Sequence, residues 1–210
     1  MKAVFRSGTC IDDAVNAAAE RNWGGLECFA GLPGSIGGAV WMNARCYGKS
    51  ISDVLISTQI IDENYELQDI PFNPDDFSYK KSPFQRRDVF ILSACLSLKE
   101  EKRDLLEAEM AKYRQDRVEK GHFRLPSAGS VFKNDYDYGI PSGKIIDELG
   151  LRGYTLGGAA VSSWHGNIFV NNGFASAADI RNLVTIVADK VREGRGIQLE
   201  PEILFLGEWD

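Results

Sequence analysis

The sequence predicts an α+β protein in two parts, a sheet-rich first half and a second half in which helices and strands alternate. Two apolar runs in the first half, at 54–61 and 89–98, predict strands. In the second half, apolar residues at helical spacing between 177 and 193 predict a long helix. Between the halves, charges surround a few apolar side chains from Glu100 to about Lys120, which predicts a solvated connecting helix. We therefore expect two domains, 1–110 and 111–210.

The first half is expected to begin with a strand and to hold one helix. Met1-Lys-Ala-Val-Phe5 has the composition of a strand start. A helix is expected at 10–22, where four apolar residues share one face: Ile11, Ala14, Val15 and Ala18. A glycine-rich turn follows it, and Asp62-Glu-Asn64 predicts a turn before the 65–70 segment.

The second half alternates short apolar runs with helical patterns. A short helix is expected at 144–149, and strands are expected at 159–162 and 168–171. The long helix at 177–193 has clear end signals, because Ser176 and Asp179 form a capping-box pattern at its start and Gly194 follows its end. Its apolar stripe consists of Ile180, Leu183, Val184, Val187 and Val191.

Composition favours a cytoplasmic globular enzyme. The chain has 210 residues, 44% hydrophobic and 26% charged, which is ordinary globular usage. Its net charge of −6 argues against a nucleic-acid partner, which would need a basic face. No apolar run approaches the length of a membrane span, and the amino terminus lacks the pattern of a targeting segment. We therefore expect neither a nucleic-acid nor a membrane partner.

The cysteines and histidines do not predict a metal site. Four cysteines, at 10, 28, 46 and 95, never approach Cys-x-x-Cys spacing, and only His122 and His165 are available to join them. We expect no bound metal, and we expect reduced cysteine thiols that are mostly buried.

A glycine-rich segment, Gly31-Leu-Pro-Gly-Ser-Ile-Gly-Gly-Ala39, is the first candidate for ligand binding. Its four glycines leave room for backbone N–H groups to converge on a pyrophosphate. The spacing differs from Gly-x-Gly-x-x-Gly, which excludes a Rossmann fingerprint. Gly48-Lys-Ser50 imitates the end of a P-loop, but Asn43 stands where a P-loop has its first glycine. A glycine-rich turn over a helix is an equally good interpretation of these residues alone.

The segment Pro126-Ser-Ala-Gly-Ser-Val-Phe-Lys-Asn134 is the most informative stretch of the chain. It combines hydroxyls with a small Ala128-Gly129 pair that lets the backbone approach a ligand. Lys133 adds a positive charge, and Asn134 adds a group that both donates and accepts hydrogen bonds. The segment predicts a site for an anion, and the alternative is a tight turn that leads into a strand.

The carboxyl end, Leu199-Glu-Pro-Glu-Ile-Leu-Phe-Leu-Gly207, places a carboxylate before an apolar run. Pro201 stiffens the approach, and Ile203 and Phe205 predict a buried strand that Glu202 opens. A carboxylate in this position is either solvated or partly desolvated and available for acid–base chemistry.

With these segments the chain resembles the UDP-N-acetylenolpyruvoylglucosamine reductases, the flavoenzymes that make UDP-N-acetylmuramate for the bacterial cell wall. The resemblance runs in order from Gly31 to Glu202 and covers nearly the whole chain. Besides the three segments above, it is carried by Met42-Asn-Ala44, Tyr47-Gly48, Phe77-Ser-Tyr-Lys-Lys-Ser-Pro-Phe84, 143–153, Gly157-Gly-Ala159, Val161-Ser162 and His165-Gly-Asn-Ile-Phe-Val-Asn171.

The resemblance implies FAD and NADPH as cofactors and a UDP-sugar as substrate. It implies that Ser130 donates a proton, that Glu202 acts beside it, and that Lys80 stabilises the enol intermediate. The residues that it places on the substrate are Tyr79, Arg117, Lys120 and Asn134. The residues that it places on the flavin are Gly31, Pro33, Gly34, Ser35, Gly37, Gly38, Asn43, Tyr47 and Gly48.

Read from the residues alone, Arg117 and Lys120 also suit a solvated helix end, and His165 suits a structural role. The family motif Tyr-Arg-x-Ser-x-Phe has Lys80 in place of its arginine here, and Arg45 replaces a glycine. Since 50 positions separate Lys80 from Ser130, the chain is similar to the shorter branch of the family, without a substrate-covering tyrosine.

The resemblance further implies a partial FAD-binding (PCMH/VAO-type) lobe at 1–110 and a smaller α+β substrate-binding domain at 111–210. Family members are longer by an amino-terminal lobe with a Gly-Gly-Gly-Ser-Asn type loop, so this chain is expected to lack that lobe and half of the FAD site. We expect a reductase that is either a fragment of a longer chain or completed by a separate amino-terminal segment. Two alternatives stay open: a non-catalytic remnant that binds a nucleotide-sugar without flavin, and another two-lobed FAD oxidoreductase.

Overall fold

The computed structural model describes residues 1–209, apart from the side chain of Tyr136. The chain forms two compact units, Met1–Asp116 and the part that begins at Arg117. Each unit mixes helices with an antiparallel four-stranded sheet and has its own hydrophobic core, as the α+β prediction requires. The connecting helix expected from about 100 to 120 is present and runs across the boundary between the units.

The first unit holds eight strands, two α-helices and most of a third. In chain order its elements are β1 (Lys2–Arg6), α1 (Ile11–Ala19), β2 (Trp23–Gly24), α2 (Ile36–Met42), β3 (Arg45–Cys46), β4 (Lys49–Ser50), β5 (Leu55–Ile61), β6 (Leu67–Pro71), β7 (Phe90–Ser97), β8 (Lys99–Glu100) and α3 (Arg103–Glu119). Short 3-10 turns lie at Glu27–Phe29, Ile51–Asp53, Pro74–Asp76 and Pro83–Arg86.

The main sheet of the first unit has the strand order β1-β7-β5-β6, with every neighbouring pair antiparallel. Alternate side chains of β7 point into the core, where Ala94 and Leu96 are fully buried. Helix α2 packs against β7 and β1 on this sheet. The close approach depends on Gly37, because a Cβ at that position would lie 2.7 Å from the Cβ of Ser7.

The second unit holds four strands and two helices. They are β9 (Ser127–Ser130), α4 (Ser142–Glu148), β10 (Thr155–Leu156), β11 (Ala159–Val161), β12 (Ile168–Asn171) and α5 (Ala177–Arg195), with a 3-10 turn at Tyr136–Tyr138. The sheet order is β10-β11-β12-β9. The apolar stripe of α5 covers this sheet through its contacts with β10 and β11. The helices and strands expected between 144 and 193 are therefore present.

Helix α5 begins as the sequence predicts and ends later. Ser176 accepts a hydrogen bond from the Asp179 N–H, and the Asp179 carboxylate accepts one from the Ser176 N–H. The prediction that Gly194 ends the helix was wrong, because the helix continues to Arg195 and ends at Gly196 with φ 68°. Gly194 serves packing instead, since a Cβ there would lie 2.8 Å from the Leu149 side chain.

The predicted buried strand at the carboxyl end was also wrong. Only an isolated bridge joins Pro201 to Phe132. Leu199 and Ile203 pack on the core of the second unit, whereas Leu204, Phe205 and Leu206 are exposed. Within the described residues 203–209 no strand pairing follows Glu202, so the apolar run beyond Ile203 does not extend a sheet.

Cysteine placement differs in part from the expectation of buried thiols. All four cysteines are free; Cys28 is buried, Cys46 and Cys95 are half-buried, and Cys10 is exposed. Burial raises the pKa of the Cys28 thiol to about 12.

Two features are absent from the described residues. Within 1–209, no helix combines the length and the apolar character that a membrane span requires. That same part of the chain contains no group of three or more His, Cys, Asp or Glu side chains placed to hold a metal ion.

Candidate active site

Ser130 ends β9, an exposed edge strand of small residues in the second unit. The strand pairs with β12, in which Ile168 lies opposite Ser130. Gly129 has φ 73°, a left-handed conformation that glycine adopts without strain, and a Cβ there would meet nothing within 4 Å. The glycine is therefore needed for its backbone conformation and not for a close contact.

Asn167 fixes the backbone that follows Ser130. Its carbonyl accepts the Val131 N–H at 2.9 Å. Its side-chain amide accepts the Phe132 N–H at 2.8 Å and donates to the Phe132 carbonyl at 2.7 Å. Asn167 is 3% exposed, so these bonds satisfy polar groups that water does not reach. Sequence reasoning gave this residue no role, since the partners of a buried amide depend on the tertiary fold.

The carboxyl-terminal segment brings Glu202 next to this backbone. The Glu202 N–H donates to the Val131 carbonyl at 2.7 Å, and the Lys133 N–H donates to the Glu200 carbonyl at 2.9 Å. Lys133 also forms an ion pair with Glu200 at 2.6 Å. Glu202, which is half-buried, therefore lies one residue away in register from Ser130, although 72 positions separate the two in sequence.

A cavity of about 440 Å³ in the second unit is lined by three of the predicted residues, Lys120, Ser130 and Asn134. Asn134 is held in place because its side-chain oxygen accepts the Ser142 N–H at 3.0 Å. The Ser142 hydroxyl in turn donates to the Lys133 carbonyl at 2.5 Å. The start of α4 thus supports the wall of the cavity.

Charges in the cavity favour an anion. Lys120, Lys144 and Arg152 line it together with a single carboxylate, Asp147. Arg152 forms an ion pair with Asp147. Lys120 and Lys144 are both exposed residues.

Arg117 lies at the end of α3, and its carbonyl accepts the His122 N–H at 3.1 Å. The residue is only 6% exposed, which rules out the alternative of a solvated helix end. Arg117 is not among the described residues that line the cavity, so its predicted contact with substrate stays a prediction.

His165 lines the cavity as well. Its Nδ1 accepts the Asn167 N–H at 3.1 Å, which places the proton of the neutral ring on Nε2. Gly143 allows this position, since a Cβ there would lie 3.0 Å from the His165 Cε1. The His122 ring packs edge-on against it, with 5.7 Å between the centroids.

In the first unit, Tyr79 and Lys80 form the tip of a tight turn. Ser78 and Lys81 exchange two backbone hydrogen bonds, of 3.2 and 3.0 Å, across this turn. Lys80 has φ 57°, a conformation that the second central residue of a type II turn needs and that usually selects glycine. A lysine at this position carries backbone strain, which is more common at functional sites than elsewhere.

Asn43 anchors this turn. Its side chain donates to the Ser78 carbonyl at 2.8 Å and accepts the Ser52 N–H at 3.3 Å. Asn43 has φ 45°, the left-handed conformation that ends α2. Its side chain is 3% exposed, so these hydrogen bonds to the turn are buried. The Ser82 hydroxyl adds a second anchor by donating to the Trp41 carbonyl at 2.6 Å. The flavin contact predicted for Asn43 stays a prediction, and the structure shows that both ends of its amide are already bonded within the protein.

The glycine-rich segment uses several of its N–H groups internally. The Gly31 N–H donates to Asp12 at 2.8 Å, the Gly37 N–H to the Ser7 carbonyl at 2.8 Å, and the Gly38 N–H to the hydroxyl of Ser35 at 3.2 Å. Pro33 and Gly34 are exposed. These three donors do not converge on an external pyrophosphate, so the fit of the described residues to that part of a flavin is incomplete.

Tyr47 and Gly48 form the two-residue turn between β3 and β4. Both have positive φ, 48° and 82°, as a type I′ hairpin requires. The Tyr47 hydroxyl donates to the Asp116 carboxylate at 2.8 Å, and its ring packs on Tyr113 with 4.4 Å between the centroids. The turn is thereby attached to α3. Its predicted contact with flavin stays a prediction.

Comparisons with known proteins agree with one another. Residues 120–206 match the family model described as UDP-N-acetylenolpyruvoylglucosamine reductase, C-terminal domain. The UDP-N-acetylenolpyruvoylglucosamine reductase of Treponema denticola is 44% identical over 97% of this chain and 67% of its own length. The protein of that name from Borreliella burgdorferi is 41% identical over 98% of this chain and 68% of its own length.

A solved structure shows the same similarity in three dimensions. The crystal structure of UDP-N-acetylenolpyruvylglucosamine reductase from Thermus caldophilus superposes with a TM-score of 0.81 at 30% sequence identity. The superposition covers 95% of this chain and 71% of that one. The chain therefore spans roughly two thirds of the length of the proteins that it matches.

Proposed function

We propose that this chain, which belongs to the UDP-N-acetylenolpyruvoylglucosamine reductase family, binds UDP-N-acetylenolpyruvoylglucosamine and protonates it during its reduction to UDP-N-acetylmuramate for peptidoglycan synthesis. The observation that carries the proposal is the pairing of Glu202 with Val131. This pairing brings the backbone of Glu202 to the residue after Ser130, and Ser130 lines a cavity together with Lys120 and Asn134. Membership of the family makes the chain a relative of oxidoreductases.

The chemistry assigns a step to Ser130. Reduction of the enolpyruvyl double bond adds a hydride to one carbon and a proton to its neighbour, so negative charge develops on the carbon that accepts the proton and on the adjoining carboxylate. We assign the proton to the Ser130 hydroxyl, because Ser130 is exposed at the end of β9 and lines the cavity. Because a neutral hydroxyl is a weak acid, the site must stabilise that charge, and one positioned donor contributes roughly 3 kcal/mol.

Glu202 and Lys80 are assigned supporting roles. The half-buried Glu202 carboxyl group is assigned the position beside Ser130, where it can take a proton from water and pass it to the serine alkoxide after each turnover. Lys80 is assigned to the developing charge, and Tyr79, at the tip of the same turn, to the substrate. The strained conformation of Lys80 supports a functional role for this turn.

The cavity of the second unit is assigned to the UDP-sugar. Lys120 offers a positive charge and Asn134 an amide to the diphosphate, and the preformed hydrogen bond from Ser142 keeps that amide oriented. Arg117 is assigned to the same ligand by the resemblance of its segment to the family. A cytoplasmic location follows from this proposal, since UDP-sugars and NADPH are cytoplasmic metabolites.

FAD and NADPH are proposed as the source of the hydride. A flavin that NADPH has reduced supplies the hydride that the double bond receives. The resemblance of Gly31–Gly38 and Asn43–Gly48 to the family supports this assignment. Because the N–H groups of Gly31, Gly37 and Gly38 are bonded within the protein, the described residues fit the pyrophosphate incompletely. For that reason no residue is given a step that runs through the flavin.

The same observation favours a second candidate function, a nucleotide-sugar-binding protein that holds no flavin. In that case the second unit would bind the UDP-sugar through its cavity, and no reduction would follow.

The test is product formation from the chain joined to the amino-terminal third of the Treponema denticola relative. The fusion is given FAD, NADPH and UDP-N-acetylenolpyruvoylglucosamine, and mass spectrometry is used to detect a sugar with two added hydrogens. Formation of that product supports the reductase. A fusion that binds the UDP-sugar but oxidises no NADPH would support the non-catalytic alternative. A fusion that binds no UDP-sugar would contradict both candidate functions.

A further inference from the structure

The turn between β11 and β12, at 162–167, is closed by the side chain of His165 as well as by its backbone. The His165 carbonyl accepts the Ile168 N–H at 3.1 Å, and the His165 Nδ1 accepts the Asn167 N–H at 3.1 Å. The second bond spans two residues, as in turns that the side chain of asparagine or aspartate closes. It exists only while Nδ1 carries no proton, so the backbone at Asn167 depends on an unprotonated imidazole nitrogen.

The ring has little freedom to turn this nitrogen elsewhere. The His122 ring packs edge-on against the His165 ring, with 80° between the two planes. Gly166, the next residue of the turn, lies against the start of α4, where a Cβ on Gly166 would overlap the carbonyl oxygen of Gly143. These contacts hold the turn and the ring in one arrangement, in which Nδ1 faces the Asn167 N–H.

Asn167 carries this restraint to the strand of the proposed proton donor. Its carbonyl accepts the Val131 N–H, and its side chain bonds both backbone groups of Phe132. Val131 and Phe132 directly follow Ser130. A change in the backbone at Asn167 therefore moves the end of β9 that presents Ser130 to the cavity.

A protonated ring would break this arrangement and would also meet like charges. The ionisable groups that share its surroundings are Lys120, Lys144, Arg152, Asp147 and the second imidazole, His122. Asp147 is already paired with Arg152, so the positive groups outnumber the negative one. The neutral ring fits these surroundings, and the imidazolium would lose its bond to Asn167 among neighbouring cations.

We infer that His165 is a positioning residue for the proton transfer, because its neutral imidazole holds Asn167 and, through Asn167, the backbone that carries Ser130. The inference rests on the proposed function and deepens it. It makes proton transfer by Ser130 depend on the protonation state of a second residue, which acts through the backbone.

The first experiment measures turnover at pH 8 in the chain joined to the amino-terminal third of the Treponema denticola relative. His165→Gln is expected to lower kcat by roughly ten- to a hundredfold, the range for a misplaced reacting group, with KM for the UDP-sugar within about threefold. His165→Asn should recover kcat to within about threefold, since its Oδ1 stands where Nδ1 does and accepts the same N–H. Ser163→Ala, at an exposed residue of the same turn, is the control and should change kcat by less than about twofold.

The second experiment uses the pH profile of the same proteins. Protonation of His165 removes the acceptor, whereas the asparagine amide does not titrate. Between pH 8 and pH 5 the wild type should therefore lose about fivefold more of its kcat than His165→Asn does.

A third measurement needs no turnover and no variant that unfolds. The chain has two histidines, so the ring nitrogens of His165 can be assigned by ¹⁵N NMR of the 210-residue chain, with His165→Asn to identify the missing signals. At pH 8 the proton should be on Nε2 and Nδ1 should be unprotonated.

Three results would overturn the inference. A proton on Nδ1 at pH 8 would show that the bond to Asn167 does not form. Equal kcat in His165→Gln and His165→Asn would show that the ring only fills space, and an equal loss at low pH in the wild type and His165→Asn would show that its protonation does not matter. These results leave the proposed function intact, whereas a wild-type fusion that forms no product would contradict that function whichever nitrogen carries the proton.

Discussion

At the scale of single residues, two buried asparagines place the candidate catalytic groups. Asn167 holds the backbone next to Ser130, and Asn43 holds the turn that carries Lys80. Ser130 and Lys80 were assigned candidate roles because each stands in a segment that resembles a motif of the family. Sequence reasoning assigned neither asparagine this role, because the same amide could face solvent, a ligand or the backbone, and only tertiary placement decides among these.

Asn167→Ala is expected to destabilise the second unit by about 2–4 kcal/mol, since it leaves the buried N–H and carbonyl of Phe132 without partners. Urea unfolding followed by circular dichroism measures the change. Asn172→Ala is the control, because Asn172 is exposed and is expected to matter by less than about 0.5 kcal/mol. Equal stability of the two variants would show that the amide of Asn167 is not structurally important.

The variants Lys80→Gly and Lys80→Ala separate the effect of backbone strain on stability from the effect of the lost positive charge on turnover. Both remove the ammonium, so both should lower turnover by a factor of roughly ten to a thousand if Lys80 stabilises the reacting charge. Because φ 57° suits glycine and strains alanine, the glycine variant should be about 1 kcal/mol more stable than the alanine variant. Turnover and urea unfolding of both variants, joined to the amino-terminal third of a relative, measure the two effects. Full activity in either variant would remove Lys80 from the mechanism.

At the scale of elements, the sequence correctly predicted features that depend on neighbouring residues and misplaced features that depend on tertiary packing. The capping box of α5 was predicted correctly, because its two hydrogen bonds lie within four consecutive residues. The end of the helix was misplaced, because Gly194 is required by a contact with Leu149, which lies far away in sequence. The carboxyl-terminal run was misread for a similar reason, since its apolar residues have no neighbouring strand beyond Glu202.

The Asp179 carboxyl group, in the capping box of α5, makes the stability of the protein depend on pH. Hydrogen bonds from the backbone of Ser176 and Gly158 lower the pKa of this group below the ordinary value of 3.8. A lowered pKa in the folded state stabilises the protein above the unfolded pKa, and this contribution is lost as the pH falls through the folded pKa. Asp179→Asn should therefore be less stable than the wild type near pH 6, and the difference should shrink as the pH falls below about 4. Urea unfolding at several pH values measures it, and a difference that stays constant with pH would contradict the assignment.

At the scale of the whole molecule, the chain divides its candidate groups between two compact units. The first holds the Lys80 turn and the glycine-rich segment, and the second holds Ser130, Glu202 and the cavity. The α+β class, the long helix and the carboxyl-terminal candidate site were predictable because their patterns are local or match the family. The internal hydrogen bonds of the glycine-rich segment could not be predicted. The same glycine-rich sequence can turn its N–H groups toward a ligand or toward other groups of the protein.

The purified 210-residue chain is expected to be colourless or weakly coloured when no flavin is added. Three N–H groups of the glycine-rich segment are bonded to the protein and leave the pyrophosphate of FAD incompletely held. An absorbance spectrum between 350 and 500 nm checks this, since roughly stoichiometric bound flavin would absorb strongly there. A stoichiometric yellow protein would show that these donors rearrange or that other groups complete the site.

The central claim is that Ser130 protonates a UDP-sugar bound in the second unit. The most direct measurement compares turnover and UDP affinity of Ser130→Ala with those of Ser127→Ala, a serine of the same strand, in the chain joined to the amino-terminal third of a relative. The account predicts that Ser130→Ala loses at least ~100-fold in turnover, as expected for a missing proton donor, with UDP affinity unchanged, and that Ser127→Ala loses less than about threefold. Equal turnover in the two variants, or loss of turnover and UDP affinity together, would contradict the assignment of the proton to Ser130.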